Sequence, residues 1–432
     1  MGQTNRQIND NAASRDDGAL PGVAGIEAAA ARLASVAIHT PLQLNRELSE
    51  KYQAQVFLKR EDQQVVRSFK IRGAYNKIFG LSEAERRRGV VCASAGNHSQ
   101  GVAYACAELE IPGKIFMPAP TPAQKVKRTR GYGRGFIEVV LIGDTFDEAY
   151  AAALAWQQTS GAVMVHPFDD PEVMEGQGTV AREILRDAPE PIDYLLVPVG
   201  GGGLASGVAT WFREYSPQTV LVGVEPSGAA SMGAAFDAGE NVGLQSIDNF
   251  VDGAAVKRSG DIGYRVCREK LDRLVSVPEG LACATLLQLY SRDGIVAEPA
   301  GALTVAALEL LAENLAGKRV VCIVSGGNND IDRMGEIRER ALLYEGRKHY
   351  FVVNLAQRPG SLLEFVDGVL GCEDDIVHFE YSKKNGSSHG PVVIGIETQG
   401  IGALDSLRER MTAKGIRYEY LNDKEVLFRY LV

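Results

Sequence analysis

The sequence lacks the usual marks of a metal-binding, membrane-spanning or nucleic-acid-binding protein. Its six cysteines, Cys92, Cys106, Cys267, Cys283, Cys322 and Cys372, fall in no CxxC or CxxH spacing. Neither a zinc site nor a disulfide framework is outlined, and reduced thiols in a cytoplasmic setting are expected, with no metal. No apolar run reaches the roughly 18 residues of a spanning helix, and the opening MGQTNRQINDNAASRDDG has no apolar centre of the signal-peptide kind. Lysine and arginine (46) are outnumbered by aspartate and glutamate (55), a net charge of -9. Basic clusters such as ERRRGV are short, so neither nucleic acid nor an anionic membrane is an expected partner. A small molecule is.

What is present is an ordinary globular composition, 432 residues that are 45% hydrophobic and 23% charged, enough for two or three domains. From about Val56 to Val324 short apolar runs (VFLK, GVVCAS, KIFMP, FIEVVLIG, AVMVHPF, YLLVPVG, TVLVGVE, VVCIVSGG) alternate with helix-length segments. That alternation predicts an α/β fold, a parallel sheet wrapped by helices. In the segment FDEAYAAALAWQQ the residues Phe146, Ala149, Tyr150 and Ala153 make a helical stripe. Residues 1–20 are expected to be loose, residues 21–335 to form the α/β part with a smaller subdomain inserted at about 90–168, and residues 336–348 to connect it to a tail at 349–432.

The tail has a different rhythm. It reads strand HYFVVNLA, helix PGSLLEFVDGVL, strand DIVHFEYSKK, strand PVVIGIETQ, helix GALDSLRERMTAKG, strand IRYEYLN, a βαββαβ order of the ferredoxin-like kind. Leu362, Leu363, Val366, Val369 and Leu370 are expected to make the buried stripe of its first helix, and Leu404, Leu407 and Met411 that of its second. A lone unit of this type exposes sheet edges, so docking or pairing with a second copy is expected.

Four glycine-rich or small-residue segments directly follow predicted strands, where α/β sheets set their ligand loops: SAGNHSQG, GGGGLASG, AEPAGA and SGGNND. The tetraglycine Gly200, Gly201, Gly202, Gly203 precedes a predicted helix, so its amides can face a phosphate. It has no GKS or GKT and does not fit GxGxxG. A cofactor monoester suits such a loop better than a triphosphate. Lys70, in VVRSFKIRGAYN, is a single amine at the start of a predicted helix.

In this order, LKRED, SFKIRGAYN, SAGNHSQG, GGGGLASG and SGGN resemble the tryptophan-synthase-like, fold type II enzymes that use pyridoxal 5'-phosphate. Within them the resemblance is to the biosynthetic threonine dehydratases (threonine ammonia-lyases), from HTPLQLN to the C-terminus. It implies that Lys70 is the Schiff-base lysine, its pKa lowered by helix-end position, partial burial and the cationic neighbours Arg67 and Arg72. It further implies that Gly200 to Gly203 and Leu204 hold the cofactor phosphate, Asn97 the ring hydroxyl, Phe69 and Gly253 the ring faces, and Ser325 the ring nitrogen. Ser94, Ala95, Gly96, Asn97 and His98 would receive the substrate carboxylate, and Glu298 would lie near the substrate. His98 reads equally well as a helix-start residue held by backbone. The group that protonates the departing hydroxyl is left open between the cofactor phosphate and a side chain.

Some relatives hold a divalent ion through a glutamate at the position of Glu225, after the run TVLVGV, and an aspartate six residues later. Here that later position is Ser231, which leaves a monovalent ion or none. The tail segment QRPGSL resembles the strand-to-helix turn of ACT-like amino-acid-binding domains, implying an effector site at Arg358, Pro359, Gly360, Ser361 and Leu362. Isoleucine is the expected effector and valine a second candidate, with a purely structural, oligomer-forming tail as the alternative. The implied reaction is deamination of L-threonine to 2-oxobutanoate, and of L-serine to pyruvate, in a homo-oligomer, dimer or tetramer. A serine dehydratase or racemase-like enzyme, or a non-catalytic amino-acid-binding regulator, are the alternatives.

Overall fold

The computed structural model describes residues 19–381, 388–400 and 402–424. Residues 1–18 of the expected loose terminus, the end of the segment DIVHFEYSKK and the last residues of the tail lie outside the described residues. The strands, in chain order, are β1 (Leu42–Leu44), β2 (Gln55–Arg60), β3 (Val90–Ala93), β4 (Gly113–Met117), β5 (Ile137–Leu141), β6 (Val163–Met164), β7 (Tyr194–Pro198), β8 (Val220–Pro226), β9 (Arg273–Val277), β10 (Arg319–Val324), β11 (Lys348–Ala356), β12 (Asp375–Tyr381), β13 (His389–Glu397) and β14 (Tyr418–Tyr420).

They form three sheets. The largest runs β1-β2-β10-β7-β8-β9, parallel except for the antiparallel edge strand β1. The chain leaves it after β2, builds the parallel sheet β5-β4-β3-β6, and returns at β7. The smaller α/β unit is thus inserted between neighbouring parts of the larger one. β2, β7, β8 and β10 are buried along nearly their whole length, because helices cover both faces of the sheet. This is why they read as unbroken apolar runs. Leu58, Leu196, Val222 and Cys322 pack on one face, and Phe57, Leu195, Leu221 and Val321 on the other. The sequence reading passed over β1 and β9, which are short or half-exposed edge strands with no such run.

The tail forms its own antiparallel sheet, β12-β13-β11-β14, with helices Ser361–Val369 and Ala403–Ala413 on it, the ferredoxin-like order. The stripe expected on the first helix needs correction. Phe365 and Val369 enter the core, whereas Leu362, Leu363 and Val366 are 44%, 71% and 38% exposed. At about 100° per residue, Val366 and Leu363 stand about 100° and 160° round from Phe365 and cannot share its face. Leu407 and Met411 of the second helix are fully buried, as expected, with Leu404 half-buried beside them.

Five cysteines are free and buried and Cys372 is free and exposed. Burial pushes the thiols of Cys106, Cys267 and Cys283 up to about 12, so they behave as small core residues.

Candidate active site

Lys70 is the first residue of the helix Lys70–Phe79, which packs so closely on the helix Asn97–Leu109 that a Cβ on Gly101 would lie 3.1 Å from the Lys70 carbonyl. Its Nζ donates to the Pro167 carbonyl at 2.7 Å and stands 5.1 Å from the centre of the Phe69 ring. Burial lowers its pKa to about 8, and the charge of Glu298 pulls it part of the way back. The expected contribution of Arg72 is absent for a plain reason. The Arg72 guanidinium binds Glu61 at 2.8 Å and Glu183 at 2.6 Å, and Lys59 meets Glu183 at 2.6 Å. Two cations and two carboxylates cancel, so burial and not a neighbouring cation lowers the Lys70 amine.

Opposite lies the tetraglycine. Gly202 has φ 91°, and a Cβ on Gly200, Gly201 or Gly203 would come within 2.8 Å of the Ala254 carbonyl, 2.2 Å of the Phe168 ring or 2.7 Å of the Phe168 carbonyl. Only glycine fits these four positions. The helix Gly203–Tyr215 starts inside the loop. No amide N–H from Gly200 to Ala205 meets a hydrogen-bond acceptor among the described residues, although Gly201 to Ala205 are buried. A row of buried, unanswered donors at a helix N-terminus is a cradle for an anion.

A polar chain ties the Asn97 turn to the segments of Glu298 and Asn328. Asn97 Nδ2 donates to Glu298 Oε1 at 2.6 Å, and Asn97 Oδ1 accepts from Asn328 Nδ2 at 2.7 Å. Burial, aided by Asp252, pushes the Glu298 carboxyl up to about 7, against the pull of Asn97. A Cβ on Gly253 would be 3.4 Å from Glu298 Oε1, so Gly253 belongs to the same wall. Ser325 is buried, its Oγ donating to the Ala300 carbonyl at 3.4 Å while its own carbonyl accepts from the Phe69 amide at 3.1 Å.

Ser94 to His98 form the turn into helix Asn97–Leu109. Ser94 Oγ accepts from the Gly96 amide at 3.2 Å, Ala95 is half-buried, and nothing lies within 4 Å of a Cβ on Gly96, so the turn opens into free space. His98 is buried with Nε2 2.8 Å from the Val165 carbonyl. Burial first, then the nearby Lys70, lowers its pKa to about 3, so it is a neutral ring held by backbone.

Glu225 caps a helix. Its two oxygens accept from the Met232 and Gly233 amides at 2.7 and 2.8 Å, at the start of helix Ser231–Ala238. In the tail, the turn Arg358 to Leu362 closes on itself: Arg358 pairs with Glu364 at 2.8 Å, Ser361 Oγ donates to the Arg358 carbonyl, Pro359 is exposed and Gly360 has φ 88°. The sequence reading missed Asn328, Pro167, Phe168 and Asp169. Asn328 sits in the flagged SGGNND loop, while Pro167 and Phe168 end the run AVMVHPF and Asp169 follows it, at the strand end where a ligand loop is looked for.

Residues 34–326 match the family model of pyridoxal-phosphate-dependent enzymes, and residues 339–431 match the C-terminal regulatory domain of threonine dehydratase. The protein is therefore a member of the pyridoxal-phosphate-dependent enzyme family, on the branch of the biosynthetic L-threonine dehydratases. It is 53% identical over 397 residues to the biosynthetic L-threonine dehydratase of Bacillus subtilis, covering 92% of this chain and 94% of that one. To that of Halalkalibacterium halodurans it is 51% identical over 400 residues, 93% and 96% covered. Among solved structures it is similar to the processed form of threonine deaminase isoform 2 from Solanum lycopersicum (38% identity, TM-score 0.70, 75% of this chain and 96% of that one). A maize serine racemase matches with 30% identity and TM-score 0.69, over 76% and 100%. The anion cradle and the near-neutral Lys70 amine fit a cofactor that carries one phosphate and one aldehyde.

Proposed function

We propose that the protein deaminates L-threonine to 2-oxobutanoate and ammonia, with L-serine giving pyruvate by the same steps, and that its tail senses isoleucine. The full-length match to biosynthetic dehydratases, catalytic and regulatory parts together, carries this reading over a racemase.

When bound, pyridoxal phosphate supplies an aldehyde that captures amines and a ring that draws off electrons as the α-proton departs. The amides of Gly200 to Leu204 would hold its phosphate, and Asn97, Phe69, Gly253 and Ser325 would set the ring. A serine at the ring nitrogen does not hold a proton there as an aspartate would, which favours loss of the β-hydroxyl over competing outcomes. The Ser94 to His98 turn holds the substrate carboxylate on its amides. Lys70 Nζ, lowered by burial to about 8, would be the amine that captures the aldehyde and the base that takes the α-proton. Glu298, its carboxyl pushed up by burial to about 7, accepts from Asn97 and keeps it aimed. L-Serine is accepted too, because a missing methyl is worth only on the order of 1–3 kcal/mol of discrimination.

For regulation the helix Met334–Tyr344 is the physical link. On the tail side Glu339 bonds Lys348 and, at 2.9 Å, the Tyr350 hydroxyl, and Arg338 meets Glu397 at 2.9 Å. On the catalytic side Arg333 donates to the Phe250 carbonyl at 2.7 Å, and Arg340 lies 4.1 Å from the Phe250 ring, three residues before Gly253. The protein forms a homo-oligomer, dimer or tetramer, in this reading; the unpaired edge strands β12 and β14 of the tail sheet support it.

The test is Lys70→Ala, assayed for 2-oxo acid from L-threonine and for the yellow, borohydride-sensitive absorbance of a lysine-bound cofactor. Turnover should disappear, and so should the lysine-bound band. Near-normal turnover in a preparation free of wild type would sink the assignment.

A further inference from the structure

The turn after β6, residues His166 to Asp170, touches both Lys70 and the glycine loop, and its histidine has no role in the reading above. His166 Nδ1 faces two backbone amides, of Asp169 at 2.7 Å and Phe168 at 3.3 Å. Two N–H donors aimed at one ring nitrogen require it to be a bare acceptor, so the proton sits on Nε2 and the ring is neutral. Burial, opposed by Asp169 and Asp170, lowers the ring's pKa and agrees with that tautomer. The ring is wedged edge-on against Phe168, 4.7 Å between centroids, and Tyr150.

Each residue the imidazole ties down then does something else. The Pro167 carbonyl accepts from Lys70 Nζ at 2.7 Å. The Phe168 ring and carbonyl occupy the space into which side chains on Gly201 and Gly203 would grow. The Asp169 carboxylate accepts from the amides of Asp261, Ile262 and Gly263, which starts the helix Asp261–Lys270, and Gly263 lies against the carbonyl of Gly201. The two amides have no backbone acceptor within this turn, so a side chain has to provide one.

We propose that His166 is a positioning residue for Lys70, fixing through Nδ1 the turn that presents the Pro167 carbonyl to the lysine amine and the Phe168 ring to the glycine loop. The inference rests on the proposed roles of Lys70 and the tetraglycine. The amine must be held in one place while it is free of the cofactor and carries the α-proton. A carbonyl does this without competing for the proton, because it only accepts hydrogen bonds. Misplacing a reacting group by about 1 Å costs on the order of 100-fold in rate.

The experiment uses substitutions that move the acceptor. Asn Oδ1 stands where His Nδ1 does, two bonds beyond Cβ, whereas Gln Oε1 is one bond farther out. With pyridoxal phosphate saturating, His166→Gln and His166→Ala should lower kcat about 10- to 100-fold, the effect of leaving two amides without an acceptor. The KM for L-threonine should stay within about 3-fold, and His166→Asn should restore kcat to within about 3-fold of wild type. Hydrogen–deuterium exchange of the Phe168 and Asp169 amides in the holoenzyme gives a readout independent of turnover. It should be slow in wild type and His166→Asn and fast in the other two. Equal behaviour of the Asn and Gln variants, or Gln better than Asn, would overturn the proposal in favour of space-filling or an Nε2 role. If the Ala variant does not fold, the Asn–Gln pair decides. If wild type itself yields no 2-oxo acid, the functional reading fails while the exchange data still judge the turn.

Discussion

Replacing Arg72 with alanine tests whether the buried charge cluster under Lys70 matters. Arg72 makes contacts of 2.8 Å to each oxygen of Glu61, 2.6 and 2.9 Å to Glu183, and 3.1 Å to Thr179, and its side chain is 1% exposed beside a fully buried Glu61. With Arg72 and Lys59 facing Glu61 and Glu183 the cluster is neutral; without Arg72 it holds one uncompensated negative charge in the interior. Breaking such a pair costs about 3–5 kcal/mol, which for a catalytic part of roughly 300 residues, at about 2.1 cal/mol/K of unfolding entropy per residue, lowers Tm by roughly 5 to 8 °C. Arg72→Met should behave like alanine, because what is lost is the charge. Arg72→Met combined with Glu61→Gln should regain about half of the loss, because Lys59 and Glu183 then balance. Burial alone raises the Glu183 carboxyl, but Arg72 and Lys59 outweigh it and hold it below the ordinary carboxylate range. Its stabilisation is therefore present above about pH 4.5 and fades as pH falls further. The assay is thermal unfolding at pH 7 and one fixed cofactor concentration, since bound ligand adds its own stability, with kcat measured well below Tm. Lys70 opens the same helix two residues earlier, so activity should fall as well. An Arg72→Ala protein melting within about 2 °C of wild type, or a double variant no better than Arg72→Met, would refute the charge argument.

Two further outcomes are expected. Glu298 has a folded pKa of about 7, above its unfolded value. Its contribution is therefore complete below about pH 4.5 and lost as pH rises through 7, and Glu298→Gln should remove roughly 3 kcal/mol of pH dependence from the unfolding free energy over that interval; parallel wild-type and mutant profiles would contradict it. Cutting after Tyr344 should leave 2-oxobutanoate formation intact and abolish the response to isoleucine, because Lys70, Asn97, the glycine loop and Ser325 all precede the cut; equal isoleucine inhibition of cut and intact protein would move the effector site into the catalytic part.

The sequence by itself determined the α/β core, the ligand loops and the order of the tail, since each is written in local pattern. An interior strand is a short apolar run, a ligand loop is small residues after that run, and a helix start is a polar residue before a periodic one. The role of Lys70 rested on the family resemblance of SFKIRGAYN, whereas the same locality made Gly200 to Gly203 legible as a ligand loop. What depended on distant partners was not. The Lys70 amine is tuned by burial among elements nearly 100 residues away, while Arg72, two positions along, is silenced by Glu61 and Glu183, 11 and 111 residues off. The bond from Asn97 to Glu298 spans 201 residues, and His166 acts only because the chain folds Pro167 onto Lys70 across 97. In the tail, sequence spacing gave helix Ser361–Val369 its apolar residues, but only packing chose Phe365 and Val369 over Leu362 and Leu363. Periodicity names the residues of a face, and burial selects among them, because free energy is gained only where a second surface arrives to exclude water.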